Sequence, residues 1–140
     1  MLTRRIALLL AWTIAAPYAH ATETDWPAYG NDPGSTKYAD LDQLNANNVA
    51  KLRVAWQWQS PDNALVKADP KKTPWGFKST PLKVGHMLYT STSLGHVAAI
   101  DAATGKSIWV FDTRTYADGR PTNLGFNHRG VAYWLSLIHI

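Results

Sequence analysis

The chain has 140 residues, with 14 Lys and Arg against 10 Asp and Glu, for a formal charge of +4. It has no cysteine, which excludes a disulfide framework, a lipid-modified Cys, a C-x-x-C-H haem attachment and a thiolate metal site in this stretch. Setting Arg4 and Arg5 aside leaves 12 basic against 10 acidic residues, scattered rather than clustered, so charge gives no argument for a nucleic-acid partner.

Residues 1–21 read as a secretory signal peptide. Met1 to Arg5 is a basic n-region, Ile6 to Ala16 an apolar core, and Ala19-His20-Ala21 an A-x-A cleavage site. The apolar core is shorter than the roughly 20 residues a bilayer span needs, so no membrane span is expected and export to the periplasm is. The pair Arg4-Arg5 matches a twin-arginine signal only loosely, and the export route stays open.

From Thr22 to Asp42 the composition is that of a loop, with Pro27, Gly30, Asn31, Asp32, Pro33 and Gly34 close together. Leu44, Val49 and Leu52 then fall at helical spacing and predict a short helix. Val54 to Gln59 alternates, with Val54, Trp56 and Trp58 on one face, which predicts a half-buried strand. Residues 60–78 are polar and rich in Pro and Lys, and are expected to form a loop with Lys67, Lys71 and Lys72 in solvent. Thr80 to Val84 and Met87 to Thr92 predict a hairpin turning at Gly85-His86, followed by a strand from His96 to Ile100. Asp101, Thr104, Gly105 and Lys106 supply turn chemistry, and Ile108 to Phe111 resumes a strand. Seven Trp and six Tyr suit strand-rich packing of this kind. Asp101 and Asp112 have sufficient readings as turn and strand-end residues, and no metal site or catalytic base is nominated.

Three segments resemble the quinoprotein dehydrogenases, enzymes that use pyrroloquinoline quinone (PQQ). The run from Ala99 to Trp109, A-x-D-x-x-T-G-x-x-x-W, is similar to the tryptophan-docking motif carried by each blade of their propellers. In that family the motif is structural, its Trp packing between neighbouring blades. The stretch DWPAYGNDPGSTKYADLDQLNANNVAKLRVAWQW resembles the opening of the mature enzymes, with its W-x-x-Y/H-G start, Leu-Asp-Gln-Leu-Asn turn and V-A-W strand. The third segment, GFNHRGVAYW from Gly125 to Trp134, resembles the R-G-V/L-A-Y-W run in which an Arg contacts the ortho-quinone edge of PQQ.

The resemblance places the cofactor contact at Arg129. A guanidinium is always charged and forks toward oxygen acceptors, which suits charge developing on quinone oxygens; the alternative is an Arg paired to a carboxylate on the propeller face. Alcohol-oxidising members carry adjacent cysteines just before this Arg. Here Phe126, Asn127 and His128 stand there, which points to the sugar- or polyol-oxidising branch. His128 is a candidate to lie over the cofactor plane, or else a hydrogen-bonded structural residue. Relatives place a Glu against the cofactor three residues before a Pro, where FKSTP has Lys78; a lysine can meet a carboxylate or quinone oxygen of the cofactor instead.

The expectation is therefore an all-β chain, residues 22–134 forming the first two to three blades of an eight-bladed propeller with a short N-terminal helix. A blade takes ~40–45 residues in propellers of known repeat length. The resemblance implies PQQ as cofactor, and calcium in the complete enzyme with its ligands outside this stretch. It further implies a sugar or alcohol substrate and a respiratory electron acceptor, either a quinone or cytochrome c. The alternative is a non-catalytic propeller scaffold of the cell envelope. Residues 135–140, LSLIHI, lack the Gly/Asp turn of relatives and resemble a translated sequencing adapter, so a non-native tail is expected there.

Overall fold

Between Leu82 and Asp112 the chain folds as an antiparallel meander. Its strands are β1 (Leu82–Val84), β2 (Met87–Ser91), β3 (His96–Asp101) and β4 (Ser107–Asp112), hydrogen-bonded in chain order. The computed structural model describes residues 25–136. The expected signal peptide, 1–21, lies outside the described residues, as do 137–140 of the expected tail.

The hairpin turns where the sequence predicts it, with Gly85 at φ +58° between β1 and β2. Leu82, Tyr89, Ala99 and Trp109 are register partners across all four strands. Directly opposed residues share a face, and the methyl of Ala99 leaves the space above it to the rings on either side. Tyr89 and Trp109 meet there, their centroids 6.2 Å apart. Ala98, Ala99 and Leu94 are fully buried, and Leu82, Ile100 and Phe126 complete a small core. Between Ala99 and Ile100 the register slips, leaving Ile108 as the extra residue of a bulge in β4.

The β3–β4 turn is built by Asp101. Its Oδ1 accepts from the Ala103 and Thr104 N–H groups and from the Thr104 hydroxyl, at 3.1, 2.8 and 2.7 Å. The Thr104 hydroxyl first, and its N–H second, hold the Asp101 carboxyl below the usual carboxylate range. Gly105 follows at φ +71°. A Cβ there would lie 2.5 Å from Cδ2 of Trp56, so the glycine is required by its neighbour as well as by its backbone. The indole sits over the turn and donates from Nε1 to the Ala102 carbonyl at 3.1 Å.

Three segments differ from their sequence reading. Residues 54–59 make no ladder among the described residues: Trp56 and Trp58 are half-buried as alternation requires, but Val54 is 77% exposed. Their indoles reach the blade through side-chain bonds, Trp58 Nε1 donating to Ser107 Oγ at 2.8 Å. The expected helix over 44–52 is reduced to one 3₁₀ turn, Val49–Lys51. Asparagines explain this, because Asn48 Oδ1 accepts from Asn45 N and Asn45 Oδ1 from Asn47 N, at 2.8 and 3.0 Å. Side chains that satisfy nearby backbone donors compete with the helical pattern. Conversely, the expected loop 60–78 contains a helix, α1 (Asp62–Ala68). One four-stranded blade is formed among the described residues, where length allowed two to three.

The helix is fastened to the blade by a buried polar cluster. Asp62, 5% exposed, accepts from the Thr92 hydroxyl (2.7 Å), the Leu94 N–H (3.0 Å) and His96 Nδ1 (2.9 Å). The last bond requires the imidazole proton on Nδ1. On its other side His96 Nε2 is 3.7 Å from Asp112 Oδ1, and the Tyr116 ring stacks on the imidazole.

Candidate functional site

The C-terminal segment carrying Arg129 crosses the start of β1. Thr80 N donates to the Arg129 carbonyl at 3.3 Å, and Thr80 and Gly130 form an isolated parallel bridge. Gly130 has φ +147°, and a Cβ on it would come within 3.3 Å of the Thr80 carbonyl oxygen. Three residues further on, Tyr133 packs against Tyr89 of β2 with centroids 6.0 Å apart. One backbone bridge and one aromatic contact thus fix the segment between them.

The partner segment is oriented by Ser79. Its hydroxyl lies 3.0 Å from Thr90 Oγ1 and 3.3 Å from Ser91 Oγ, and accepts from the Ser91 N–H. In extended chain alternate side chains point to opposite sides, so Lys78 and Thr80 face away from β2. They face a cleft of about 730 Å³ lined by Tyr29, Lys78, Thr80, Arg129, Gly130, Val131 and Ala132. Two side chains proposed from sequence, Lys78 and Arg129, are therefore brought to one cavity. No carboxylate stands among the lining residues.

His128 is not among them. Its Nε2 is set on the side of Gly95, where a Cβ would approach it to 3.4 Å, close to the Thr113 and Thr115 hydroxyls. Phe126 is a core residue, and Asn127 Oδ1 is buried with no hydrogen-bond partner among the described residues. Tyr29 is the lining residue that sequence reasoning did not single out, although it is the Tyr of the W-x-x-Y/H-G start. Its place follows from the pairing of Trp26 with Lys83, through N–H···O bonds of 2.8 and 3.0 Å, which lays the N-terminal segment along the free edge of β1. Asp25 reinforces that edge, bonding Lys83 Nζ at 3.1 Å and the Gly85 N–H at 2.9 Å.

Comparison with known proteins gives this geometry a family. The model of the glucose/ethanol/alcohol dehydrogenase β-propeller domain of the PQQ class matches residues 26–137. The chain belongs to the PQQ-dependent dehydrogenase family. It is 36% identical over 115 residues to quinoprotein glucose dehydrogenase A of Acinetobacter calcoaceticus, covering 80% of this chain and 13% of that protein. It is 32% identical over 149 residues to the dehydrogenase subunit of the quinone alcohol dehydrogenase of Gluconobacter oxydans, covering 91% of this chain and 18% of that one. The fold matches the crystal structure of quinohemoprotein alcohol dehydrogenase from Comamonas testosteroni with a TM-score of 0.62 at 35% identity, over 83% of this chain and 16% of that one. The chain thus spans under a fifth of the length of these relatives. Its sheet is a blade of the family's propeller.

The cleft's chemistry fits the cofactor. PQQ is a planar tricarboxylic ortho-quinone, and a cavity of this volume, within the ~300–1,000 Å³ usual for small-molecule sites, offers it two cations and no competing acid. Calcium is a different matter. It takes six to eight oxygens, and the described residues contain no group of three or more His, Asp or Glu side chains able to hold a metal ion.

Proposed function

We propose that residues 22–134 are the N-terminal part of an exported PQQ-dependent dehydrogenase, whose complete polypeptide oxidises a sugar or alcohol in the periplasm. On this reading 1–21 is the signal peptide and 135–140 a non-native tail. The observation that carries it is the Thr80–Gly130 bridge, which brings Lys78 and Arg129 into one acid-free cleft. Further support comes from β4, whose Ile108, Trp109, Val110 and Phe111 are 42–62% exposed, as expected of a blade whose neighbour lies elsewhere in the polypeptide.

Bound PQQ supplies the two-electron redox chemistry, and electrons leave for a respiratory acceptor, a quinone or cytochrome c. What this chain contributes is binding, orientation and fixed charge. Arg129 would hold the quinone edge, its permanent charge suited to negative charge developing on those oxygens. Lys78 would hold a carboxylate of the cofactor. His128 enters only by the resemblance, as a candidate over the cofactor plane. The base that takes the alcohol proton and the calcium ligands come from the rest of the enzyme. Phe126, Asn127 and His128, standing where alcohol-oxidising relatives have paired cysteines, favour a sugar or polyol substrate.

The test begins with the encoding DNA, read through the codon for Trp134. A frame that continues into further docking motifs supports the reading, and a genuine stop after Ile140 removes it. The complete polypeptide, loaded with PQQ, is then assayed for dye-linked oxidation of glucose and of ethanol. Arg129→Ala is expected to lower kcat by about 10²–10³, the usual effect of deleting one preorganised donor to developing charge. Unchanged kcat would overturn the assignment of Arg129.

A further inference from the structure

The cleft has a third wall, outside the two segments that carry Lys78 and Arg129. Tyr29 lines it from the N-terminal loop and holds against its ring Lys37, which is not itself a lining residue. The Lys37 ammonium lies 4.6 Å from the Tyr29 ring centroid and donates to the phenol oxygen at 3.2 Å. The loop holds both in place. Lys37 N donates to the Gly30 carbonyl at 3.0 Å, Asn31 N to Ala28 O at 2.9 Å, and Ser35 N to Asp32 O at 2.9 Å. Ser35 fills the space that a Cβ on Gly30 would need, its Oγ 2.2 Å from that position. Asp32, the one acid between Trp26 and Tyr38, is turned into the loop, where its carboxylate accepts from the Thr36 hydroxyl and N–H. Among the described residues no ion pair joins a carboxylate to Lys37.

From this the geometry points to the Tyr29–Lys37 pair as a ligand-reading element that selects a planar aromatic acid by one of its carboxylates. The inference rests on the PQQ reading of the cleft and extends it to residues outside that assignment. Tyr29 gives an aromatic wall for a flat ring, and its phenol hydroxyl, accepting from Lys37, has its own proton left to donate to an anionic oxygen. Lys37, itself outside the lining, acts through that hydroxyl by polarising its oxygen. A carboxylate ligand gains this hydrogen bond beside the charges of Lys78 and Arg129. An uncharged ligand of the same shape gains the wall alone.

The experiment titrates the full chain with PQQ and separately with PQQ trimethyl ester, which keeps the ring system and lacks the negative charges, following tryptophan fluorescence. Lys37→Gln is expected to weaken PQQ about threefold and leave the ester unchanged, in keeping with one exposed charge acting through the hydroxyl. Tyr29→Ala weakens both ligands, PQQ by about tenfold, while Tyr29→Phe keeps the ester's affinity and loses part of PQQ's. Melting curves of the variants that match the parent exclude misfolding of the loop, which Lys37→Gln and Tyr29→Phe leave intact in any case. If Lys37→Gln affects both ligands equally or neither, or Tyr29→Phe binds PQQ as the parent does, the pair does not read a carboxylate and the inference is overturned. If the parent chain binds PQQ no more tightly than its ester, charge recognition in the cleft fails as a whole. If the parent binds neither, the cofactor reading falls first and takes this inference with it.

Discussion

Replacing Asp62 by alanine should be among the most damaging single substitutions in the blade. The carboxylate is 5% exposed and accepts three hydrogen bonds, from Thr92 Oγ1, Leu94 N and His96 Nδ1. In Asp62→Ala the Thr92 hydroxyl and His96 Nδ1, already 3.4 Å apart, can turn to each other. The Leu94 N–H has no such recourse, and an unpaired buried donor costs about 1–3 kcal/mol. Loss of hydrogen bonds to a charged acceptor, about 1.5–3 kcal/mol each, brings the total to about 3–5 kcal/mol. Asp62→Asn keeps the shape and one acceptor oxygen, but turns an amide donor toward another donor, and should cost about 1–3 kcal/mol. Urea unfolding of the full chain, followed by tryptophan fluorescence, measures both from the midpoint and slope. A loss below about 1 kcal/mol for Asp62→Ala would refute the reasoning, because no buried three-bond acceptor is that cheap to remove.

Gly105→Ala tests the seat of Trp56: with φ at +71° and a Cβ 2.5 Å from Cδ2 of the indole, it should cost about 2–4 kcal/mol in the same assay. A near-neutral result would mean that Trp56 does not sit on the turn. Thr104→Val removes the hydroxyl that chiefly holds the Asp101 carboxyl low, so the Asp101 titration, followed by NMR, should move up toward the ordinary range. Because the folded-state value is depressed, the associated stabilisation is present above the unfolded value near pH ~3.9 and is lost as pH falls through the folded one. The difference between parent and variant should therefore hold at neutral pH and shrink below pH ~4; a difference that grows on acidification would contradict the assignment.

Much of the blade is legible in sequence because its signals are local. Gly85-His86 marks the hairpin, alternation marks β2 and β3, and the Asp-x-x-Thr-Gly run marks the turn before β4. In each the residue that sets the structure lies within a few positions of the structure it sets. The helix α1 was hidden by Pro70, Lys71, Lys72 and Pro74 around it. Its start did carry a signal, since Ser60 Oγ accepts from the Asp62 N–H at 3.2 Å with Pro61 between them. The stretch 44–52 misled for the opposite reason: apolar spacing favoured a helix, while Asn45 and Asn48 spent their side chains on the backbone. Long-range partners left no mark. Nothing in V-A-W-Q-W tells that Trp56 will lie on Gly105, or that Asp62 will bond residues 30 or more positions away.

The site shows the same division. Arg129 and Lys78 were nominated through the motifs that contain them, whereas their meeting in one cleft depends on the Thr80–Gly130 bridge, across 50 residues of chain. Tyr29 was missed because its place in the cleft comes from the pairing of Trp26 with Lys83, which periodicity does not record. His128 illustrates the converse. Adjacency to Arg129 in sequence places it on the neighbouring side of the backbone, beside Gly95.

The most direct test of the account is calorimetric titration of PQQ into the full chain, alongside its Arg129→Ala variant. The account predicts saturable one-to-one binding that weakens at least about tenfold in the variant, as expected for loss of a hydrogen bond to a charged group. No saturable binding, or equal affinity in the two proteins, would contradict it.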